Sequence, residues 1–313
     1  MNLLASLRYL AALEEHKHFG RAAQACHITQ PALSNALRAL ETEFGTVIVR
    51  RGRNFEGFTP EGARVLASAQ RMLHEREMLQ QELDSGIGKP QGAISIGAVP
   101  TAIPIAARFS AQLQARHPGI TPTVRSMSSN DLESGLESLS LDIGFGYTDR
   151  LRANGPALRH IAQYTEHYFF VRKAQQPAND LRVGSAITWA EAATHPLCML
   201  TREMHNRTIV EKAFASAGVT SHPAIETNSI VTLVLSVVEG NVCTVIPGAL
   251  VGAVRGYREL EALPLIAPDV RTVIGLMAQS TDRPSRTLEA ALALAQDPAW
   301  LRHAAAHSGL LAP

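Results

Sequence analysis

"RAAQACHITQPALSNALRALE", residues 21–41, decides how this chain is read. Ala22, Ala23 and Ala25 give a small-residue helix that breaks at His27-Ile28-Thr29 and restarts at Gln30-Pro31. Leu33, Leu37 and Leu40 recur at spacings of four and three, which lines one side of the second helix with apolar groups. The other side carries Gln30, Ser34, Asn35 and Arg38. Thr29 is placed to cap this helix, Pro31 suits its first turn, and Gly45 stops it. Two helices joined by a tight turn form a helix-turn-helix. The outward polar set is of the kind that reads base edges and grips phosphates in a major groove. The amides behind Thr29 would point toward a phosphate. A solvated face of an ordinary all-α domain has the same composition, so the neighbouring segments must decide.

Those segments favour DNA. Residues 46–58 carry β-branched Val47, Ile48 and Val49, then Arg50, Arg51 and Arg53, and read as a short hairpin-like wing. Thr59-Pro60-Glu61 starts a helix expected to run to about Ser85. Val65, Ala69, Met72, Leu79 and Leu83 alternate in spacings of four and three, with Arg76 filling one slot. That is a coiled-coil-like seam for pairing with a second copy.

Bulk composition sets the outer limits. A chain of 313 residues, 46% hydrophobic and 18% charged, implies a globular protein of about two or three domains. No apolar run of about 18 residues predicts a membrane span. No signal peptide is read at the N-terminus, and the scattered odd cysteines Cys26, Cys198 and Cys243 suit a reducing cytoplasm. The net charge of +1 does not exclude nucleic acid, because positive charge concentrated on one face suffices.

"SGIGKPQG", residues 85–92, is a hinge by composition. Strands are then expected at 93–99, 122–126, 141–147, 164–172, 197–200, 223–227, 242–246 and 271–280. Helices are expected at 101–117, 131–139, 206–217, 229–239 and 284–296. This alternation predicts an α/β domain built on a parallel sheet, in two similar lobes with crossings near 162 and 268. The expected division is 1–59 for the DNA-binding domain, 60–91 for linker and hinge, and 92–313 for the effector domain. Lobe I would hold 92–162 and 269–313, and lobe II 163–268.

"FGRAAQACHITQPALSNALRALETEFG" with the later "TPEG" resembles the winged helix-turn-helix of LysR-type transcriptional regulators. The likeness rests on the paired alanines, the "TQPALS" junction and the "LE" with a following Gly that close the second helix. It extends by pattern over the rest of the chain. The resemblance implies a mainly α winged domain, a long linker helix and a two-lobed effector domain like a periplasmic binding protein. It implies double-stranded DNA with dyad symmetry, a homodimer or tetramer, contact with RNA polymerase, and neither cofactor nor catalysis. Gln30, Pro31 and Ser34 would meet bases or the adjoining backbone. Thr29, Arg38, Arg50 and Arg51 would hold phosphates, and Arg53 would approach the minor groove. Asn35 departs from the commoner residues of the family, and "VIVRRGRNFEGF" replaces the commoner wing opening.

The second half carries no nucleophile elbow, phosphate loop, dinucleotide fingerprint or metal cluster. His16 with His18, and His303 with His307, read as surface histidines. In open α/β sheets, ligands bind beyond the carboxyl ends of strands. That selects Pro100, Thr101, Ser128 and Ser129 at two helix starts, with Thr101 placed to cap its helix. From the other lobe it selects Thr201, Arg202, Asn228 and Pro247, the last in a "VIPGA" turn. Hydroxyls and free amides there suit a small carboxylate, with Arg202 as a candidate counter-ion. A looser resemblance to family members governing one-carbon metabolism makes formate a candidate effector. Two alternatives stay open: a cytoplasmic small-molecule-binding or scaffold protein that only dimerises through its N-terminal helices, and a thiol redox sensor.

Overall fold

The computed structural model describes residues 2–52, 55–84, 90–150, 158–176, 178–281 and 284–308. The chain divides into two units, residues 1–86 with 137–140, and residues 87–136 with 141–313.

In the first unit, α1 (Leu3–His16), α2 (Phe19–Ala25) and α3 (Gln30–Phe44) pack around one core. Leu7, Leu10 and Leu13 meet Ala22, Ala23, Leu33, Leu37 and Leu40 there. The alanines of α2 are small enough for the helices to approach closely, as their spacing predicts. His18 caps α2 through Nδ1, which accepts from the Gly20 and Arg21 amides. Thr29 caps α3, its hydroxyl oxygen accepting from the Ala32 amide at 3.3 Å, and Gly45 ends that helix with φ +62°.

The wing consists of β1 (Val49–Arg51) and β2 (Phe55–Phe58), paired antiparallel. Glu41 on α3 ties it down: Oε1 accepts from the Ile48 and Val49 amides at 3.0 and 3.1 Å. The long helix α4 (Pro60–Asp84) starts on Thr59, which accepts from the Gly62 amide at 2.9 Å. A Cβ on Gly62 would stand 2.0 Å from the Ile48 carbonyl oxygen, so only glycine lets α4 leave the wing at this point.

The expected seam of α4 splits in two. Ala69 is buried and Val65 half-buried against the unit's own core, together with Leu66. Met72, Leu79 and Leu83 are 49%, 56% and 71% exposed. The first part therefore serves its own domain, and only the later part presents an apolar edge.

The second unit begins with β3 (Gly92–Ala98), a 3-10 turn at Pro100–Ala102, α5 (Ile103–Arg116), β4 (Ile120–Ser126), α6 (Ser129–Glu137) and β5 (Ile143–Tyr147). A second 3-10 turn, Thr148–Arg150, follows. Next come β6 (Leu158–Lys173), β7 (Arg182–Val183), β8 (Ile187–Thr188), α7 (Trp189–Ala192), β9 (Leu197–Leu200) and α8 (His205–Ser216). The chain continues through β10 (Pro223–Thr227), α9 (Ile230–Glu239), β11 (Cys243–Pro247), α10 (Gly248–Ala253) and β12 (Leu260–Ile266). It closes with β13 (Arg271–Gln279), α11 (Arg286–Gln296) and α12 (Pro298–Ala306).

The sheet path is β10-β9-β11-β6-β13-β5-β3-β4, with β12 also paired to β6. The fold is α/β as expected, but the sheet is mixed rather than parallel. β3, β4 and β5 run parallel, as do β9, β10 and β11. β6 and β13 join these two sets antiparallel. The reason lies in the length of β6: its first part pairs with β13, while Tyr168 to Lys173 pair with β11 and β12. One strand thus serves both halves of the sheet, and β13 returns alongside it. Residues 158–163 escaped the expected strand at 164–172 because Arg159, His160 and Gln163 interrupt the apolar pattern. Gln163 is nonetheless buried, donating to the Ala295 carbonyl at 3.1 Å and accepting from Trp300 Nε1 at 2.6 Å.

Candidate nucleic-acid interface and effector cleft

The first α3 turn places Thr29, Gln30 and Pro31 at the surface, with Asn35 and Arg38 exposed and Ser34 half-buried. The buried Leu33, Leu37 and Leu40 fix which way this polar face turns. Arg50 is exposed on β1, and Arg51 follows it on the same strand. Arg53 lies outside the described residues. Arg50 and the polar face of α3 therefore belong to one unit, in which Glu41 ties α3 to the wing backbone.

In the second unit, Thr101 is buried in the 3-10 turn after β3. It does not cap α5; the residue before that helix is Ala102, which makes no side-chain cap. The Thr101 hydroxyl instead lies 2.8 Å from the Tyr147 hydroxyl at the end of β5. Asn206, in the first turn of α8, donates from Nδ2 to the hydroxyls of Tyr147 at 3.4 Å and Tyr168 at 3.5 Å. Tyr168 lies 3.1 Å from the Thr272 hydroxyl, and both hydroxyls donate to Glu166 Oε2, at 3.5 and 3.3 Å. Elements far apart in sequence thus converge on one polar chain.

Glu166 is fully buried, and burial pushes its carboxyl up to about 8, although the two hydroxyl donors oppose the shift. It is a neutral acid near pH 7. Burial, reinforced by Glu166 once it ionises at higher pH, also holds the Tyr147 and Tyr164 hydroxyls well above the ordinary phenol range. Among the described residues, the buried atoms Ser129 Oγ, Tyr164 Oη, Glu166 Oε1 and Thr244 Oγ1 have no hydrogen-bond partner, and His205 Nε2 has only Asp149 Oδ2 facing it at 3.7 Å. Each such atom costs about 1–3 kcal/mol, and Glu166 Oε1 belongs to the polar chain itself.

The other expected residues behave differently. Ser128 donates to Asp131 Oδ2 at 2.7 Å and accepts from the Asp131 amide at 3.2 Å, so it serves the start of α6. Thr201 donates to Glu203 Oε1 at 2.6 Å. Arg202 and Asn228 are exposed, and the side-chain cap of α9 comes from Ser229. The buried arginine is Arg207, paired with Glu211 and Glu226 at 2.7 Å each. Pro100 is buried beside Thr101. Pro247 ends β11 and precedes α10, which packs against the Pro100–Ala102 turn, so "VIPGA" is a strand-to-helix junction rather than a turn.

Among the described residues no group of three or more His, Cys, Asp or Glu could hold a metal ion, and no helix is long and apolar enough to cross a membrane. His303 on α12 and His307 just after it hold their rings 4.3 Å apart, tilted by 42°.

These features define a DNA-binding regulator with an attached α/β sensing domain. Residues 4–63 match the bacterial regulatory helix-turn-helix protein, lysR family, and residues 88–299 match the LysR substrate binding domain. The chain belongs to the LysR family: it is a LysR-type transcriptional regulator, not an enzyme. It is 26% identical over 283 residues, 88% of each chain, to the DNA-binding transcriptional dual regulator OxyR of Escherichia coli K12. The hydrogen peroxide-inducible genes activator of Haemophilus influenzae is 34% identical over 141 residues, 44% of this chain and 46% of that one. A full-length OxyR variant from Pseudomonas aeruginosa shares the fold with TM-score 0.69 at 23% identity, covering 99% of this chain and 98% of the other. Full-length CbnR complexed with its target DNA does so with TM-score 0.65 at 18% identity, covering 96% and 99%. LysR regulators bind DNA and oligomerise.

Proposed function

We propose that this regulator grips a dyad-symmetric operator with two winged helix-turn-helix domains and responds to a small carboxylate-bearing metabolite. Gln30, Pro31, Ser34 and Asn35 meet base edges. Thr29, Arg38, Arg50 and Arg51 meet phosphates, and Arg53 reaches the minor groove. The linker region 60–91 joins two copies through the exposed edge of α4, and a dimer of such dimers contacts RNA polymerase in the cytoplasm. The effector sits between lobe I (92–162 and 269–313) and lobe II (163–268). Formate is the smallest candidate.

The carrying observation is the polar chain from Thr101 through Tyr147 and Asn206 to Tyr168, because Thr101, Tyr147 and Asn206 stand at or beyond the carboxyl ends of β3, β5 and β9 while Tyr168 lies within β6 between them. An effector that competes for those groups changes the balance between lobe arrangements, which requires different affinity for the two states. Relatives named for hydrogen peroxide raise a thiol-based reading. The buried, opposed positions of Cys198 and Cys243 favour the metabolite instead.

A thermal-shift screen of small carboxylates on the full chain tests this. A stabilising carboxylate whose effect is lost in Thr101→Val supports the reading, and a flat response across the panel contradicts it.

A further inference from the structure

Arg150 makes three contacts. Nε donates to Glu133 Oε1 at 2.9 Å and Nη2 to Asn130 Oδ1 at 2.6 Å, both on α6. These two hold the guanidinium in place. Nη1 faces Nδ1 of His205 at 3.2 Å, the first residue of α8. Arginine has only donors, so this imidazole nitrogen accepts and the ring proton resides on Nε2. A neutral imidazole is a weaker acceptor for a guanidinium than an anionic oxygen, by roughly twofold in hydrogen-bond strength.

Spare capacity surrounds this contact. Ser129 Oγ, at the start of α6 and one residue from Asn130, is without a hydrogen-bond partner in a residue only 5% exposed. His205 Nε2 is buried and faces the Asp149 carboxylate, with Oδ2 3.7 Å away. Beside the Arg150 guanidinium the α6 start thus keeps one unused donor, the Ser129 hydroxyl, a single residue from the Asn130 that accepts from Arg150.

We propose that Arg150 is the counter-ion of a compact anionic effector, and that His205 Nδ1 holds the effector's oxygen position until the effector arrives. The inference rests on the metabolite reading above and replaces Arg202 by Arg150 as the charged determinant. The exchange swaps a neutral acceptor for a carboxylate oxygen and frees the first turn of α8 from the turn that follows β5. An anion in this place also favours the imidazolium form of His205. The groups facing that ring are Arg150, Asp149, Lys212 and the edge-on Tyr147 ring at 5.0 Å. Burial, then Arg150, keep His205 below the usual imidazole range in the absence of ligand.

The test uses the full chain with 13C-labelled histidine, and His205→Gln to assign the resonance. Acetate is the probe, acetamide its neutral control, and thermal shift is followed in parallel. The expected result is a rise of the His205 pKa by about half a unit or more with acetate and none with acetamide. Arg150→Met should weaken acetate binding about tenfold, the size of a lost charge-assisted contact. His205→Phe, which removes the competing acceptor, should strengthen it several-fold. A merely structural pair would weaken binding in both variants, and that result overturns the proposal. Acetate that stabilises the protein while leaving the His205 resonance unmoved also overturns it, with the metabolite reading intact. If neither acetate nor other small carboxylates stabilise the protein or move His205, both readings fall. The wild-type titration decides even if Arg150→Met does not fold.

Discussion

Cys198 and Cys243 lie on neighbouring parallel strands but on opposite faces of the sheet. Cys243 is registered with Leu197 and Thr244 with Cys198, so the two thiols alternate in direction. Cys243 joins the core cluster of Phe145 and Trp300, whereas Cys198 joins that of Phe169 and Leu250. Side chains that point apart cannot form a disulfide without moving the backbone. Burial also pushes both thiols up. Peroxide treatment of the native protein should therefore leave Cys198 and Cys243 unlinked, and Cys198→Ser with Cys243→Ser should keep DNA binding. Peptide mapping under non-reducing conditions checks this, and a Cys198–Cys243 bridged peptide would refute it.

Glu166 gives the folded protein a pH dependence of definite sign. Its carboxyl is raised from 4.5 to about 8, so the folded state keeps a proton that the unfolded state has released. The stability from this group is complete below about 4.5 and is lost as pH rises through about 8. The effect is on the order of a few kcal/mol, since each unit is about 1.4 kcal/mol. Glu166→Gln should match the parent near pH 5, melt above it near pH 8, and flatten the slope between. Melting temperatures at several pH values measure this, and an unchanged slope would count against the buried acid.

The wing and recognition helix should separate in their salt behaviour. If Arg50 holds a phosphate as proposed, Arg50→Ala should weaken all sequences alike and lower the salt slope by about one unit. Gln30→Ala should instead alter sequence preference, costing about 1–3 kcal/mol at its preferred base. Binding titrations at several salt concentrations distinguish the two.

The exposed edge of α4 should control assembly. Leu79→Glu places a charge on a residue that is 56% exposed and outside the winged domain's core, so the monomer should fold normally while the dimer weakens. Ala69→Glu buries a charge in the winged domain and should destabilise folding itself. Analytical ultracentrifugation beside thermal melting separates these outcomes.

The winged domain was legible because its signals are local. Leu33, Leu37 and Leu40 carry the helical period, and Thr29 and Thr59 cap the helices they were placed to cap. The cleft was legible only in part. Thr101 was found from the end of its strand, but its partner Tyr147 reads as an ordinary strand residue. Glu166 falls inside the expected strand 164–172 with nothing local to mark it; it is buried because β6 pairs with β13 at this point and serves both halves of the sheet. Arg202 and Arg207 stand five residues apart, and the phase of α8 alone sends Arg207 inward. Such choices depend on contacts between residues as distant as Tyr168 and Thr272, which no local pattern encodes.

The most direct measurement is the anisotropy of the full chain on a labelled dyad-symmetric fragment from upstream of its own gene, against a scrambled fragment at the same salt. Affinity for the dyad higher by about a thousandfold, with the ratio eroded by Gln30→Ala and shifted by the stabilising carboxylate, is the expected result. Equal affinity for both fragments, unaffected by Gln30→Ala and by any carboxylate, would contradict an effector-responsive operator-binding regulator.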